Sequence, residues 1–307
     1  MSLVKEENFG IARKIVSNMT YESWRDIPHA GIVLDLDATC LMEKIKQLNS
    51  GLTDKSKKLT VNTVMLKIIC ESIKAAPVMN SHLEFNKKLV RGTLKTFDNI
   101  DISMPTVLPN GEMMTVNLHN MENKSLYEMA DTINDTMRRA KNTNLNEVMF
   151  SVSMDNTLKG LKKGMLLQAI RRLYGAKMPG KHRVKTLSGK QKREYYKIPE
   201  SDRLTLHDIE QGTITVSNLG AIDREQSFAC SLLEVVPPQT TVIAINPVKE
   251  KPWVIKNEKG ESEIAIRKIM PITVMFDHKA LDLGDLIPFT KRMEEIFNNS
   301  QLLDEWK

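Results

Sequence analysis

The segment ITVMFDHKALDLGDLIPFTKRMEEIF, from Ile272 to Phe297, changes its hydrophobic period at a histidine. Its first six residues alternate as a β-strand does, with Ile272, Val274 and Phe276 on one face. After the histidine, apolar residues recur at helical spacing, at Leu286, Phe289, Met293 and Ile296. His278 therefore lies where a strand ends, and a strand fixes the position of a side chain that projects from its end. A lone histidine is more often a satisfied core residue than a functional one, so the rest of the chain must decide its role.

The composition excludes several classes of protein. The chain has 307 residues, 41% of them hydrophobic and 27% charged, which is typical of one large globular domain or two small ones. Its three cysteines are far apart, which is atypical of a disulfide framework and predicts a reducing, cytoplasmic location. The first residues lack the apolar core of a signal peptide, and no apolar run approaches the roughly 20 residues that span a bilayer. We therefore expect no transmembrane segment.

Helical and strand patterns are mixed along the chain. We predict helices over residues 9–24, from Asp37 or Thr39 to near Gly51, from Thr60 or Asn62 to Pro77, and after Ser125, whose partner in a capping box is Glu128. Strands are predicted in IPHAGIVLDLDATC, VMNSHLEFNKKLVRG, the pair around the turn at 109–111, GTITVSNLGAI and the final meander with its turn at 257–260. Such a mixture predicts an α+β fold with a largely antiparallel sheet that carries helices on one side.

Six segments, in this order, resemble one family. They are ARKIVSNM, IPHAGIVLDLDATCLMEKIKQLN, KLTVNTVMLKIICESIKAAPVMNSHL, NIDISMPTVLPNGEMMTVNLHNMENKSLYEMA, GTITVSNLGAI and FDHKALDLGDL. Together they resemble the catalytic domain of the dihydrolipoamide acyltransferase component of 2-oxoacid dehydrogenase complexes and, more distantly, chloramphenicol acetyltransferase. The resemblance covers most of residues 10–299. It implies a chloramphenicol acetyltransferase-like fold, with a mixed or antiparallel sheet and helices packed on it, as a single domain over residues 1–307.

The resemblance also implies a reaction and its residues. An acyl group moves between coenzyme A (CoA) and a thiol, hydroxyl or amine acceptor, and acyl-CoA is a substrate. His278 matches the general base of the family, and its ordinary pKa of about 6.5 leaves the ring neutral but basic near pH 7. Ser217 matches the serine whose hydroxyl donates to the oxyanion. Asp282 matches a mainly structural aspartate, and Arg13 is the best match for the arginine with which it pairs.

Three departures from the family pattern bear on function. Leu283 stands where the family has the glycine after the aspartate, and a leucine does not adopt positive φ cheaply; Gly284 can shift that turn by one residue. Lys279 replaces the usual arginine, keeping the charge but not the planar fork. We also see no lipoyl or partner-binding domain, so we expect a free-standing enzyme without a lipoyl group of its own, which uses a lipoyl domain in trans or another acceptor.

A basic block at residues 150–207 is the main unmatched region. Its first half fits a basic amphipathic helix with apolar residues at Leu161, Met165, Leu166, Ile170 and Leu173, and its second half an extended or mobile loop. The block either contacts CoA phosphates, an acidic partner or a membrane surface, or is a plain solvated surface.

The remaining hypotheses concern assembly, alternatives and metals. By resemblance, the tunnel that holds His278 and Ser217 lies between subunits, which predicts a homotrimer or a multiple of trimers. A catalytically weak structural or interaction protein that keeps the fold is the alternative, motivated by Leu283.

Nucleic-acid binding is disfavoured, because only 5% of residues are aromatic and no recognition module is visible. No cluster has metal-ligand spacing, so we expect no metal. We expect a structural role for His29 and ordinary surface or loop positions for His82, His119, His182 and His207.

Overall fold

The computed structural model describes residues 2–52, 54, 57–107, 113–162, 166–167, 170, 186–221 and 228–307. The chain divides into two compact units. The larger unit comprises Ser23–Pro105, Asn117–Asp135 and Gln211–Lys307, and the smaller comprises Met1–Glu22, Thr106–Val116 and Thr136–Glu210. That the chain forms a single domain over residues 1–307 remains a prediction.

The described helices and strands follow the predicted order closely. The helices are α1 (Ile11–Asp26), α2 (Thr39–Asn49), α3 (Val61–Ala75), α4 (Leu126–Lys141), α5 (Leu145–Lys162), α6 (Gly189–Tyr195) and α7 (Leu283–Asn298). The strands are β1 (His29–Asp37), β2 (Ser81–Asn86), β3 (Arg91–Thr96), β4 (Ile102–Val107), β5 (Met113–Leu118), β6 (Ile214–Asn218), β7 (Thr241–Ile245), β8 (Lys249–Lys256) and β9 (Ser262–Asp277). Short 3-10 helices lie at Pro77–Met79, Glu200–Asp202, Leu219–Ala221 and Ser300–Trp306.

One seven-stranded sheet contains most of the described strands. The strand order is β1-β9-β7-β6-β4-β5, and β8 pairs with the other end of β9. Strand β9 is antiparallel to β1, β7 and β8, whereas β6 is parallel to both β7 and β4. The sheet is therefore mixed, which confirms the α+β prediction. Strands β2 and β3 form a separate antiparallel hairpin, as the sequence predicts.

Helix α3 forms the centre of the core. Most of its residues are buried, and six apolar ones are fully buried: Val64, Met65, Leu66, Ile68, Ile69 and Cys70. It packs against α7, whose four predicted core residues, Leu286, Phe289, Met293 and Ile296, are also fully buried. Each fully buried large apolar side chain contributes roughly 1.5–3 kcal/mol of transfer free energy, so this helix pair is a main source of stability.

Two predicted helix starts are confirmed by their hydrogen bonds. Thr60 Oγ1 accepts from the Thr63 N–H at 3.1 Å at the start of α3. At α4, the Ser125 N–H donates to the Glu128 carboxylate at 2.8 Å, and the Glu128 N–H donates to Ser125 Oγ at 3.3 Å. These bonds satisfy N–H groups that the first helical turn leaves unpaired. The predicted turn at 109–111 lies outside the described residues.

In the smaller unit, the extended or mobile loop predicted for the second half of the basic block is wrong over the described residues 186–207. Residues 189–210 contain α6 and a 3-10 helix. Arg139 donates to both carboxylate oxygens of Asp208, at 2.9 and 2.7 Å, and Arg138 pairs with Asp202 at 2.6 Å. The guanidinium of Arg203, which is only 9% exposed, lies over the ring of Tyr195 at 5.6 Å. Ion pairs with residues far away in the sequence therefore order a segment whose local composition favours a loop.

The first half of the block is only partly described. Helix α5 starts before the block and ends at Lys162, so it includes Leu161. Leu166 and Ile170 are helical but exposed, and Met165 and Leu173 lie outside the described residues. No described helix combines the length and the apolar character that a membrane-spanning helix needs.

Candidate active site

His278 follows the last residue of β9, as the sequence predicts. Strand β9 is buried from Ile269 to Asp277 and is held on both sides, with Asp277 opposite His29 of β1 and Phe276 opposite Thr241 of β7. The His278 N–H donates to the Pro28 carbonyl at 3.0 Å. The backbone at the histidine is therefore fixed by the centre of the sheet.

Asp277 organises the turn after the strand. Its carboxylate Oδ1 accepts from the Lys279 N–H at 2.9 Å, and its carbonyl accepts from the N–H groups of Ala280 and Leu281 at 2.9 and 3.1 Å. The residue is only 2% exposed, so Asp277 is a buried carboxylate that closes the sheet.

The ring of His278 is held by one nitrogen. Its Nδ1 lies 3.1 Å from the Leu281 carbonyl oxygen and 3.3 Å from Asp282 Oδ1. Because a carbonyl only accepts, we assign the proton of the neutral ring to Nδ1, which leaves the Nε2 lone pair available. No partner for Nε2 occurs among the described residues, and the side chain is 52% exposed. The ring also meets Phe276 edge to face at 5.6 Å.

Asp282 begins the helix behind the histidine. It is the N-cap of α7, with φ −112° and ψ 167°, and its N–H donates to Asp285 Oδ2 at 2.8 Å. Its ion pair in the described structure is with His278. The predicted partner, Arg13, is an exposed residue of α1 in the smaller unit, so its pairing with Asp282 stays a prediction.

The turn at Leu283 requires no left-handed backbone. Leu283 is the first residue of α7, and Gly284 follows inside the helix. Positive φ among the described residues occurs at Val90, Asn120, Gly51 and Gly260. The Asp-Leu-Gly sequence therefore forms a helix start, and the expectation that this turn needs a glycine at 283 or shifts it to 284 is wrong.

Ser217 lies on β6, in the same unit as His278. It is opposite Ala244 of β7, and it is half-buried with no hydrogen-bond partner among the described residues. The next residue, Asn218, donates to Asn62 Oδ1 at 2.8 Å and accepts from the Ala221 N–H at 3.1 Å. These bonds fix the end of β6, while the serine hydroxyl stays available.

One chain does not bring Ser217 and His278 together. Across the sheet, Ser217 is level with Ala244 of β7 and Thr273 of β9, and Thr273 precedes His278 by five residues. Five residues of strand span about 16 Å, and two strand spacings add about 10 Å across the sheet. The two side chains therefore lie too far apart to act on one reacting atom from the same copy.

The other histidines differ from one another. His29 Nε2 accepts from the Val235 N–H at 3.0 Å, which confirms its expected structural role, and burial lowers the pKa of His29 below its ordinary value. His82 is half-buried on β2, 3.2 Å from the Gly212 carbonyl, so its expected surface or loop position is wrong, whereas His119 follows β5 in a loop, as expected, and lies 3.3 Å from the Asp101 carboxylate. His207 is exposed, and His182 lies outside the described residues.

The part of the chain that the structure describes contains no candidate metal site. Within it, no three histidine, cysteine, aspartate or glutamate side chains are grouped so that they could hold a metal ion. The three cysteines are free thiols, with Cys70 buried in α3.

The chain is similar to acyltransferases in sequence and in structure. It is 22% identical over 284 residues to the dihydrolipoyllysine-residue acetyltransferase component of the pyruvate dehydrogenase complex of Zymomonas mobilis, covering 92% of this chain and 48% of that one. The lipoamide acyltransferase component of the branched-chain alpha-keto acid dehydrogenase complex of Arabidopsis thaliana is 22% identical over 294 residues, covering 96% and 46%. The chain thus spans about half the length of these curated relatives.

Solved structures share the fold. Dihydrolipoamide acetyltransferase of Azotobacter vinelandii superposes with a TM-score of 0.65 at 17% identity, covering 98% of this chain and 94% of that one. A probable dihydrolipoamide acetyltransferase of Listeria monocytogenes gives 0.63 at 18% identity, covering 96% and 94%. The cubic core of a pyruvate dehydrogenase multienzyme complex gives 0.66 at 16% identity, covering 98% and 94%.

The family profile of the catalytic domain of 2-oxoacid dehydrogenases acyltransferase matches residues 4–153 and 184–304. The unmatched stretch, 154–183, is shorter than the predicted block at 150–207, because the ordered segment around α6 belongs to the matched part. Most of the chain is therefore covered by one family. The chain belongs to the family of the 2-oxoacid dehydrogenase acyltransferase catalytic domain.

Proposed function

We propose that this chain catalyses CoA-dependent acyl transfer between CoA and a thiol, hydroxyl or amine acceptor. The observation that carries the proposal is the state of His278, whose Nδ1 is tied to the Leu281 carbonyl at 3.1 Å while Nε2 has no partner among the described residues. A base that is oriented by one nitrogen and free at the other is what proton abstraction from an acceptor requires. Family membership supports the same chemistry.

In the proposed reaction, His278 Nε2 removes the proton of the acceptor as the acceptor attacks the thioester carbonyl of acyl-CoA. The Ser217 hydroxyl donates a hydrogen bond to the oxyanion of the tetrahedral intermediate, which is worth about 3 kcal/mol for one such donor. The intermediate then collapses, the carbon–sulfur bond breaks, and the CoA thiolate takes the proton from the imidazolium. The Asp282 carboxylate, 3.3 Å from Nδ1, favours the imidazolium that forms between these steps.

A complete site requires a neighbouring copy in this proposal. His278 of one copy and Ser217 of the next face one another across a tunnel, because the strand register holds them apart within one copy. The assembly is a homotrimer or a multiple of trimers. A structural neighbour that is the cubic core of a multienzyme complex supports this arrangement.

The aspartate after the histidine has a counterpart in a structural neighbour. The work on the Azotobacter vinelandii enzyme concerns the roles of a serine, a histidine and an asparagine four residues after the histidine in its catalytic mechanism. His278 and Asp282 have the same spacing in this chain. We therefore assign Asp282 a part in orienting and stabilising His278, and its pairing with Arg13 remains part of this proposal.

We also propose a cytoplasmic location, where the free thiols of the chain stay reduced.

The acceptor is a dihydrolipoyl group presented in trans or another small nucleophile. The test measures release of free CoA thiol from acetyl-CoA and longer acyl-CoAs, with dihydrolipoamide, a free lipoyl domain and hydroxyl and amine compounds as acceptors. We expect acceptor-dependent turnover with at least one of them. If an assembled and folded protein shows no turnover with any acceptor, the proposal is contradicted and the alternative of a catalytically weak interaction protein is favoured. Leu283 gives that alternative no support, because it starts a helix.

A further inference from the structure

The side chain of Lys279, next to the proposed base, contacts three separate elements of the larger unit. Its Nζ donates to the carbonyl oxygen of Asp26 at 2.5 Å and lies 3.3 Å from Asp277 Oδ2. It also lies 5.7 Å from the centre of the Phe85 ring on β2. Only 23% of the side chain is exposed, although it carries a charge. A lysine held at so many points has a positional role, because an ordinary surface lysine leaves its ammonium group in water.

The contact with Asp277 neutralises a buried charge. The Asp277 side chain is 3% exposed, and Lys279 is its ion-pair partner in the described structure. A buried carboxylate without a countercharge is strongly unfavourable, so removal of the ammonium group changes the surroundings of Asp277. Asp277 is also the residue whose carbonyl accepts from Ala280 and Leu281. The ion pair therefore acts on the turn that places the Leu281 carbonyl against His278 Nδ1.

The contact with Asp26 fixes the other side of the turn. Asp26 is the last residue of α1, and carbonyl groups at a helix C-terminus favour a cation. Two residues later, the Pro28 carbonyl accepts from the His278 N–H at 3.0 Å. The lysine and the histidine are thus tied to the same short segment, the lysine by its side chain and the histidine by its backbone.

The contact with Phe85 adds the β2–β3 hairpin to this set. Phe85 is opposite Gly92 on β3, and a Cβ atom at Gly92 would come within 3.3 Å of the Phe85 ring. The ring therefore lies close against the glycine, and the hairpin fixes its position. The Lys279 ammonium group above the ring gains a cation–π contact.

We propose that Lys279 is a positioning residue for the proposed acyl transfer. It connects the end of α1, the buried Asp277 and the β2–β3 hairpin, and so keeps the turn in the form that holds His278 Nδ1 on the Leu281 carbonyl and leaves Nε2 free. This inference rests on the proposed function. It gives Lys279, which does not itself react, a role in orienting His278 that an exposed surface lysine does not have.

The experiment compares Lys279→Met with Lys279→Arg and with Lys291→Met, an exposed lysine of α7 in the same unit. We expect Lys279→Met to lower kcat by about tenfold or more, with less than about a twofold change in KM for either substrate, because small misplacements of a catalytic group affect rate more than binding. Lys279→Arg keeps the charge and the reach, and we expect it to stay within about threefold of the unchanged protein. Lys291→Met is expected to have no effect.

A second readout does not depend on activity. ¹⁵N NMR of His278 in the neutral form reports which ring nitrogen carries the proton. We expect the Nδ1–H tautomer in the unchanged protein and in Lys279→Arg, and a mixture of tautomers in Lys279→Met. If no acceptor supports turnover, the proposed function fails, whereas the tautomer comparison still tests the positioning role.

Two results overturn the inference. One is a Lys279→Met protein whose kcat and His278 tautomer are unchanged; the other is a fall in kcat without any change of tautomer. If Lys279→Met does not fold, Phe85→Leu replaces it, since this change removes the ring and leaves the ion pair. We then expect a smaller fall in kcat and a partial loss of the Nδ1–H tautomer, and an unchanged tautomer contradicts the inference.

Discussion

At one end of the sheet the side chain of His278 is held by hydrogen bonds, whereas at the other end the hydroxyl of Ser217 is not. The His278 backbone bonds to Pro28, its ring to Leu281, and its turn to a buried aspartate. Ser217 sits on an ordered strand, but its hydroxyl has no partner among the described residues. The proposed base is thus held by bonds within one chain and the proposed oxyanion donor is not, and the two residues lie about 16 Å apart along the strands.

The difference follows from the chemistry of the two groups. A histidine is useful as a base only in one tautomer and one orientation, and both need hydrogen bonds within the same chain. A serine hydroxyl rotates freely and needs only a fixed Cα to donate to an oxyanion. We therefore expect changes near His278 to act through orientation, and changes at Ser217 to act through the loss of a single donor.

The largest effect is expected for His278→Ala. Loss of a positioned general base lowers the rate by about 10²–10⁴-fold, and we expect kcat of acyl transfer to fall in that range with KM little changed. Steady-state kinetics with the best acceptor checks this, and His207→Ala, at an exposed histidine, is the control. Equal rates for His278→Ala and the control would remove the base from the mechanism.

Ser217→Ala is expected to lower kcat by about 10²–10³-fold, which corresponds to the roughly 3 kcal/mol of one oxyanion donor. Since the serine makes no described side-chain hydrogen bond, the free energy of unfolding is expected to stay within about 0.5 kcal/mol of the original. Kinetics and urea unfolding are measured together. A loss of less than threefold in kcat contradicts the assignment of Ser217.

A moderate effect is expected at Asp282. Its side chain is 82% exposed, and an exposed ion pair is worth about 0–1 kcal/mol, so Asp282→Asn is expected to lower kcat by at most about fivefold. Asparagine also caps helices well, whereas Asp282→Ala loses the N-cap of α7 and is expected to reduce stability by about 1 kcal/mol. A fall of a hundredfold in Asp282→Asn would give this residue a direct part in the chemistry.

The smallest effect is expected for Leu283→Gly, which restores the family residue. Leu283 already lies at a helix start without positive φ, so we expect kcat to stay within about twofold. Glycine in a helix is less favourable than other residues, and stability is expected to fall by up to about 1 kcal/mol. Thermal unfolding and kinetics check both, and a large gain in activity would revive the idea of a weakened enzyme.

The parts of the site that the sequence predicts are those fixed by interactions between residues that are close together in the sequence. The strand end at His278, the strand of Ser217 and the helix caps at Thr60 and Ser125 follow from periodicity and from bonds within three residues. The burial of Asp277 is not local, because strands β1 and β7 cover it from positions more than thirty residues away.

The same reason explains what the sequence alone misses elsewhere. Lys279 contacts Asp26 and Phe85 across the fold, and Arg139 bonds Asp208 from 69 residues away. Local composition carries no signal for such pairs, so the sequence alone identifies the lysine only as a substituted arginine and predicts a loop for the described residues 186–207. The start of α7 at Leu283 does not follow from the family pattern, because it depends on Asp282 acting as the N-cap of that helix.

The central claim is that His278 and Ser217 act from different copies of the chain, and subunit mixing tests it most directly. Separately purified His278→Ala and Ser217→Ala proteins are each nearly inactive, and they are dissociated, mixed in equal amounts and reassembled. Because a ring of mixed copies pairs an intact histidine with an intact serine at about a quarter of its interfaces, activity is expected to return to about a quarter of the original. A reassembled mixture that stays as inactive as its two components would contradict the account.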